Sequence, residues 1–412
     1  MVECWLPYGK TEVHVSVALR NLLATVEPAK SEARLDPRSV LIEALQSPMG
    51  SQRIDEVVKT GTQCTVAVDG TLNPRLAAPV VSTLVEALGG AGARPEDISV
   101  LIGNGSRDRG DPDLLESLRS VDALKGIGVE SLSSRTGGLR QVGETSAGTS
   151  VQVSGTLADA DFKLVVGEVL TDHFSGFSGA HTTILPQLSG PKTIVGNRSL
   201  SIDEGSAPGA VDGNPVFDDV IEAAEMVGPD LALNLVTDQW GSLTGARAGG
   251  IRESLAQAID DLGESYRLRV EGDADVIIVS AGGRKFDYDL YNSVWALGGV
   301  ASIAKKGATI ILLAECSEGL GAPGLDKLSR VDNLAELRRR YMLGAKAVYL
   351  IKSTLRSNEV VLVSALPNYL AEPLGFGVER TANDALEAVS SRRRGRKTLV
   401  VTHGCSTIPY VA

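Results

Sequence analysis

Short runs of β-branched and aliphatic residues alternate along the chain with amphipathic stretches of helix length. Residues 65–68 (Thr-Val-Ala-Val) read as a strand, and residues 76–89, whose apolar positions recur at helical spacing, read as the helix after it. Residues 98–102 and 162–169 are the next strand-like runs. Residues 276–280, 309–314, 347–351, 360–364 and 398–402 continue the series. Strands alternating with helices predict parallel sheets built from βαβ units. Residues 251–263 read as a helix and 265–270 as a strand, and a fresh strand–loop–helix series starts at Ala274. The pattern therefore predicts two α/β domains, residues 1–272 and 273–412, with largely parallel sheets.

Strands in this series tend to end in small or polar residues: Asp69-Gly70-Thr71, Gly103-Asn104-Gly105-Ser106, Ser280-Ala281-Gly282-Gly283. In open α/β sheets ligands bind just outside the carboxyl ends of the strands, so these turns are the first places to look. With 43% hydrophobic and 22% charged residues in 412, the composition is that of a globular protein. The net charge of −11 and the 4% of aromatics argue against nucleic acid as a partner. No apolar run approaches the roughly 20 residues needed to span a bilayer. The opening MVECWLPYGK lacks the pattern of a signal peptide, so a cytoplasmic location is expected. The four cysteines form no CxxC pair and suggest neither a structural zinc site nor a disulfide framework. A basic run at residues 392–397 reads as the solvated end of a helix.

Four histidines narrow the candidate chemistry: His14, His173, His181 and His403. His173 and His181 flank a segment rich in Gly and Ser that follows a strand, where small residues let backbone approach a ligand. His173 is the candidate general acid/base, because imidazole titrates near neutral pH. Asp69 either caps its turn, as Asp commonly does, or binds a ligand hydroxyl. The Gly103–Arg109 turn offers backbone N–H groups to an anion, with Arg107 or Arg109 for charge. Neither a dinucleotide fingerprint after a first strand nor a P-loop nor HExxH is present.

Taken in order, these segments resemble the nickel-dependent lactate racemase family. The resemblance rests on Leu6-Pro7-Tyr8-Gly9-Lys10, on residues 41–50, on the Asp69–Pro74 turn and on the Gly103–Asp108 loop. It continues through His173–Pro186, Val211-Asp212-Gly213-Asn214-Pro215, residues 282–292 and residues 314–321. It implies two α/β domains with the active site in a cleft between them. It also implies a nickel-pincer nucleotide held by a lysine through a thioamide, two acid/base histidines, and a further histidine on nickel. The metal pincer of that family takes a hydride from the hydroxyl-bearing carbon and returns it to either face.

Several family positions are changed. The tethering lysine falls on Thr182, the histidine of the "GTHR" loop on Arg107, and the arginine of the "DxTR" turn on Leu72. The glutamine and lysine after the family tyrosine fall on Asn292 and Trp295, and residues 190–212 hold no histidine for nickel. Asp69, Thr71, Gly105, His173, Ser178, Gly179, Asn214 and Tyr291 are kept. The resemblance thus marks His173, Arg107 and Asp69 as catalytic, Arg107 by its fixed charge rather than as a base. It marks Thr71, Asn104, Gly105, Ser106, Ser178, Gly179, His181 and Asn214 as a cofactor or anion cradle, with His181 the one candidate metal ligand. Arg75, Tyr291, Asn292 and Trp295 are marked as substrate contacts.

Three functions stay open at this point. One is an isomerase-like enzyme moving a proton or hydride next to the carboxylate of a small 2-hydroxy acid. The second is a metal-independent enzyme on the same scaffold, and the third a non-catalytic anion-binding or regulatory homologue. Without its lysine, the nickel nucleotide is expected either to bind non-covalently or not at all. All three expect a small anionic ligand, no nucleic acid and no membrane, and allow a homo-oligomer.

Overall fold

The computed structural model describes residues 1–30, 36–107, 109–202, 205–270, 274–339, 341–392 and 396–411. The expected boundary at 272/273, Asp108 and the centre of the basic run lie outside them. The chain divides into two compact units, Met1–Ala29 with Glu264–Ala412, and Lys30–Gly263. This differs from the division expected from the sequence at the N-terminus, where the first 29 residues fold with the C-terminal unit.

The reason lies in three short strands. β1 (Val2–Tyr8) and β2 (Thr11–Val17) form an antiparallel hairpin, and β3 (Leu22–Val26) joins a sheet built by the C-terminal half. Cys4, Leu6, Val15 and Val17 point from the hairpin into that unit's core. Their alternation with exposed residues is the period of a half-buried strand.

The unit formed by Lys30–Gly263 holds a six-stranded sheet. In chain order its elements are α1 (Pro37–Gln46), β4 (Cys64–Asp69), α2 (Pro74–Gly90), β5 (Ile98–Gly103) and β6 (Gly128–Leu132). There follow β7 (Phe162–Val169), α3 (Pro191–Ser199), α4 (Pro215–Val227), β8 (Leu231–Thr237), β9 (Leu243–Gly249) and α5 (Ile251–Leu262). The strand order is β9-β8-β7-β4-β5-β6, parallel except for the β8–β9 pair. β4 is buried along its whole length, as a strand covered on both faces must be. α2 starts where Asn73 caps the Arg75 N–H, with Pro74 at the first helical position. It buries Leu76, Val80, Leu84 and Leu88 on one stripe.

The other unit pairs β10 (Arg267–Val270) with the last strand and builds a second parallel sheet. Its elements are β11 (Ala274–Ser280), β12 (Ala304–Leu313), α6 (Ala345–Leu355), β13 (Glu359–Val363), β14 (Gly377–Glu379), α7 (Ala382–Arg392), β15 (Thr398–Val401) and β16 (Ile408–Val411). The order is β14-β13-β12-β11-β15-β3. One expected strand is a helix. Residues 347–351 are rich in strand-forming side chains, yet they lie inside α6, where Ala345, Val348, Ile351 and Thr354 are buried three residues apart. A 3.6-residue period of burial outweighed local β propensity.

Among the described residues no helix is long and apolar enough to cross a membrane.

Candidate active site at the strand ends

Four of the expected site segments meet at the carboxyl edge of the first sheet. Asp69 ends β4, and its Oδ1 accepts from the Thr71 N–H and the Thr71 hydroxyl, both at 2.7 Å. Gln187 Nε2 donates to the same oxygen at 3.3 Å, and the Gln187 carbonyl accepts from the Gly105 N–H at 2.9 Å. Gly105 has φ +54°, a conformation that favours glycine, and the Gln187 side chain packs against the space a Cβ would take. Gln187 thus joins the β4 turn, the β5 turn and the His173–Pro186 segment. The sequence gives no direct sign of it: only its place just after the motif singles it out.

Asn104 is 7% exposed and commits its amide nitrogen to structure. Nδ2 donates to the Ile102 carbonyl, the Ser131 hydroxyl and the Leu132 carbonyl, tying the end of β5 to that of β6. Ser106 and Arg107 follow half-buried, and the Arg107 N–H closes the turn onto the Asn104 carbonyl at 3.0 Å. Arg75 lies exposed in the first turn of α2.

His173 stands on a turn made by its neighbour. Asp172 Oδ1 accepts from the Phe174 and Ser175 N–H groups, at 2.9 and 2.6 Å, and from the Ser175 hydroxyl at 2.9 Å. Ser178 fixes the far side of this loop to β7, donating to the Glu168 carbonyl and accepting from the Leu170 N–H. Gly167 of β7 lets the loop come close: a Cβ there would lie 2.2 Å from the Gly179 carbonyl carbon. Asn214, fully buried, caps α4 through the Val216 and Phe217 N–H groups and donates to the Phe174 and Ala210 carbonyls. Ser178 and Asn214 therefore hold the His173 loop in place.

His181 has no solvent exposure, and among the described residues neither ring nitrogen has a hydrogen-bond partner. The Phe217 ring meets it edge-on at 5.7 Å. Burial pushes its pKa down to about 4; Asp172 and the Phe177 backbone favour the charged form, and Arg198 opposes it. At neutral pH the ring is therefore uncharged. Asp172 is held below the usual carboxylate range: burial works against its charge, but Arg198 and the Ser175 and Phe174 donors outweigh it.

Arg198, on α3, is 6% exposed and lies over the Phe174 ring at 4.1 Å. Nothing in the local sequence marks it as a site residue. Its signal is a charged residue on the face of α3 that also buries Thr193, Ile194 and Asn197, and only packing reveals which face that is.

Tyr291, Asn292 and Trp295 belong to the other unit. Tyr291 and Trp295 are buried and meet edge-to-face at 5.7 Å, while Asn292 hydrogen-bonds to Asp289 through both its N–H and its side chain.

The residues at the expected tether do not fit a lysine-bound nickel nucleotide. Thr182 has no amine, and its hydroxyl is committed to Gly179, donating to the carbonyl at 2.7 Å and accepting from the N–H at 3.1 Å. Among the described residues no group of three or more His, Cys, Asp or Glu could hold a metal ion, and His181 alone offers one ligand where stable sites use three or four.

The family model described as the lactate racemase N-terminal domain matches residues 8–209, and that of the lactate racemase C-terminal domain matches residues 270–408. The lactate racemase of Lactiplantibacillus plantarum is 22% identical over 99% of this chain and 100% of its own length. That of Thermoanaerobacterium thermosaccharolyticum is 21% identical over 79% of this chain and 77% of its own. The structure of the lactate racemase apoprotein from T. thermosaccharolyticum superposes with a TM-score of 0.82 at 20% identity, covering 99% of this chain and all of that one. A Thermotoga maritima protein solved by structural genomics matches with a TM-score of 0.66 at 14% identity, over 91% of this chain and 97% of that one. With both of its α/β domains matched in order, the chain belongs to the lactate racemase family.

Proposed function

We propose that the protein binds a small 2-hydroxy-carboxylate and moves a proton at the carbon next to the carboxylate, with His173 as the acid/base group. The observation that carries this reading is the position of His173. It lies just past the carboxyl end of β7, half-buried, on a turn built by Asp172 and stapled to the strand by Ser178. That is where open α/β sheets bind ligands, and an imidazole so held is oriented before substrate arrives. In the step itself the C–H bond breaks, the proton passes to the imidazole, and the electron pair moves into the carboxylate. The dianion so formed needs nearby positive charge, which arginine supplies without titrating. Return of a proton from the imidazole to that carbon restores the acid and, because the imidazole exchanges with water, replaces the α-hydrogen by one from solvent.

The decisive experiment follows exchange of the α-proton of lactate in D2O by NMR, together with lactate binding, for the wild type and His173→Gln. Exchange in the wild type, with loss of at least about 100-fold in the variant and binding kept, supports the reading. Equal exchange in both removes His173 from the chemistry.

A second reading, a non-catalytic anion-binding homologue, draws support from Thr182 and Arg107 standing where the family has a lysine and a histidine. Binding without exchange in the wild type would favour it.

A further inference from the structure

A buried guanidinium must be compensated, because an unpaired charge in the interior is costly. Arg198 is 6% exposed. Among the described residues its hydrogen bonding is limited to Nη1 donating to Asn197 Oδ1 at 3.3 Å. One face of the guanidinium is covered by Phe174 at 4.1 Å. Asp172 supplies opposing charge through space, but its Oδ1 is already shared by three donors of its own turn. Among the described residues four of the five N–H donors of Arg198 are thus left over, in the planar fork that matches a carboxylate.

His181 is packed into the same cluster: its ring meets Phe217 edge-on at 5.7 Å, the Phe217 N–H donates to Asn214, and Asn214 donates to the carbonyl of Phe174, the residue that Arg198 covers. Its two ring nitrogens are buried and, among the described residues, lack hydrogen-bond partners. A neutral imidazole carries one N–H donor and one acceptor nitrogen. That pair complements a hydroxyl, which both gives and takes a hydrogen bond. A metal ion fits here poorly: among the described residues no group of three or more His, Cys, Asp or Glu could hold one, and Arg198 already brings a positive charge to the site.

We infer that Arg198 and His181 form a carboxylate-binding subsite, Arg198 taking the carboxylate and His181 the adjacent hydroxyl, in place of a metal site. The assignment rests on the reading of the protein as a binder of 2-hydroxy acids, and it names which residues do the binding. Phe174 then acts as a positioning residue: it holds the guanidinium plane on the turn that carries His173.

Calorimetric titration tests this with three probes, racemic lactate, acetate and nickel(II), on the wild type, Arg198→Gln, Arg198→Lys and His181→Gln. Arg198→Gln is expected to weaken lactate and acetate alike by at least about tenfold, with Arg198→Lys intermediate and guanidinium ion in the buffer restoring part of the loss. His181→Gln is expected to erase the preference for lactate over acetate and to leave nickel uptake unchanged. Thermal unfolding of each variant separates lost binding from lost folding. Wild-type lactate affinity in Arg198→Gln, with only the melting temperature lowered, would make Arg198 a structural counter-ion to Asp172 and overturn the proposal. So would nickel uptake by the wild type that His181→Gln abolishes, or a wild type that binds neither lactate nor acetate. Proton exchange at His173 is read separately: Arg198-dependent lactate binding without any exchange would leave the subsite standing and overturn the catalytic reading alone.

Discussion

The Arg198 guanidinium lies 4.1 Å from the centre of the Phe174 ring, and Phe174 is one residue along from His173, so a buried cation packs on the short turn that carries the candidate acid/base group. That turn rests on Asp172, whose Oδ1 gathers three donors. Phe174→Leu keeps most of the apolar contact but removes the ring face. A loss of about 0.5–2 kcal/mol in stability is expected, with weaker lactate binding; urea unfolding and calorimetry read the two effects. Unchanged affinity would show that the ring does not orient the guanidinium.

The pH dependence follows from His181. Its folded pKa of about 4 lies below the ordinary 6.5, so between those values the unfolded chain binds the extra proton and stability rises with pH. This contribution is fully present above about pH 6.5 and falls away by about 3 kcal/mol as pH drops towards 4. His181→Gln should flatten that part of the profile, measured as unfolding free energy at pH 7, 5.5 and 4. A profile as steep as the wild type's would place the titration elsewhere.

Asp172 acts in the more acid range. Its folded pKa lies below the usual value, so its stabilisation is present above the unfolded carboxyl pKa of about 4 and is lost as pH falls through the folded value. Asp172→Asn should therefore be less stable than the wild type at pH 7, with the gap closing in strong acid. A constant gap at every pH would show that turn hydrogen bonds alone, and not charge, set its cost.

Gly176 allows the His173 loop to close. Its φ is +81°, and a Cβ would lie 2.0 Å from the Ala210 carbonyl oxygen. Gly176→Ala is expected to cost about 3 kcal/mol or more through backbone strain and overpacking, seen in chemical denaturation. A melting temperature equal to the wild type's would mean that the loop relaxes freely.

Thr182 bears on the cofactor. A protein made together with the enzymes that build the nickel nucleotide is expected to show by intact-mass spectrometry only the polypeptide of 43.1 kDa. A covalent adduct would require another tether and would reopen the metal chemistry.

Much of the fold was open to reading because its signals are local. β4, β5 and β7 are mostly apolar, β-branched runs, and Asn73-Pro74 announces a helix start. The ordered motifs from Leu6 to Gly321 pointed to the family. The candidate histidines followed from their scarcity and from the Gly/Ser loop between them. Less legible was anything that depends on partners distant in sequence. Residues 347–351 have strand propensity but sit in a helix because their burial recurs every three residues. Asn104, Ser178 and Asn214 read as ligand-binding polar groups. In the structure the Asn104 amide nitrogen ties the end of β5 to that of β6, and the Ser178 and Asn214 side chains hydrogen-bond to backbone around the His173 turn.

By itself the sequence determined the α/β class, the family and the residue types at the strand ends, because periodicity and turn chemistry act over a few neighbours. The tertiary structure alone decided that Met1–Ala29 folds with the C-terminal unit, that Gln187 links Asp69 to Gly105, and that Arg198 is buried against Phe174 near a neutral His181. Each of these is a contact between segments far apart in the chain. Whether a charge faces solvent or the interior is settled by which helix face packs, and a single sequence does not fix that.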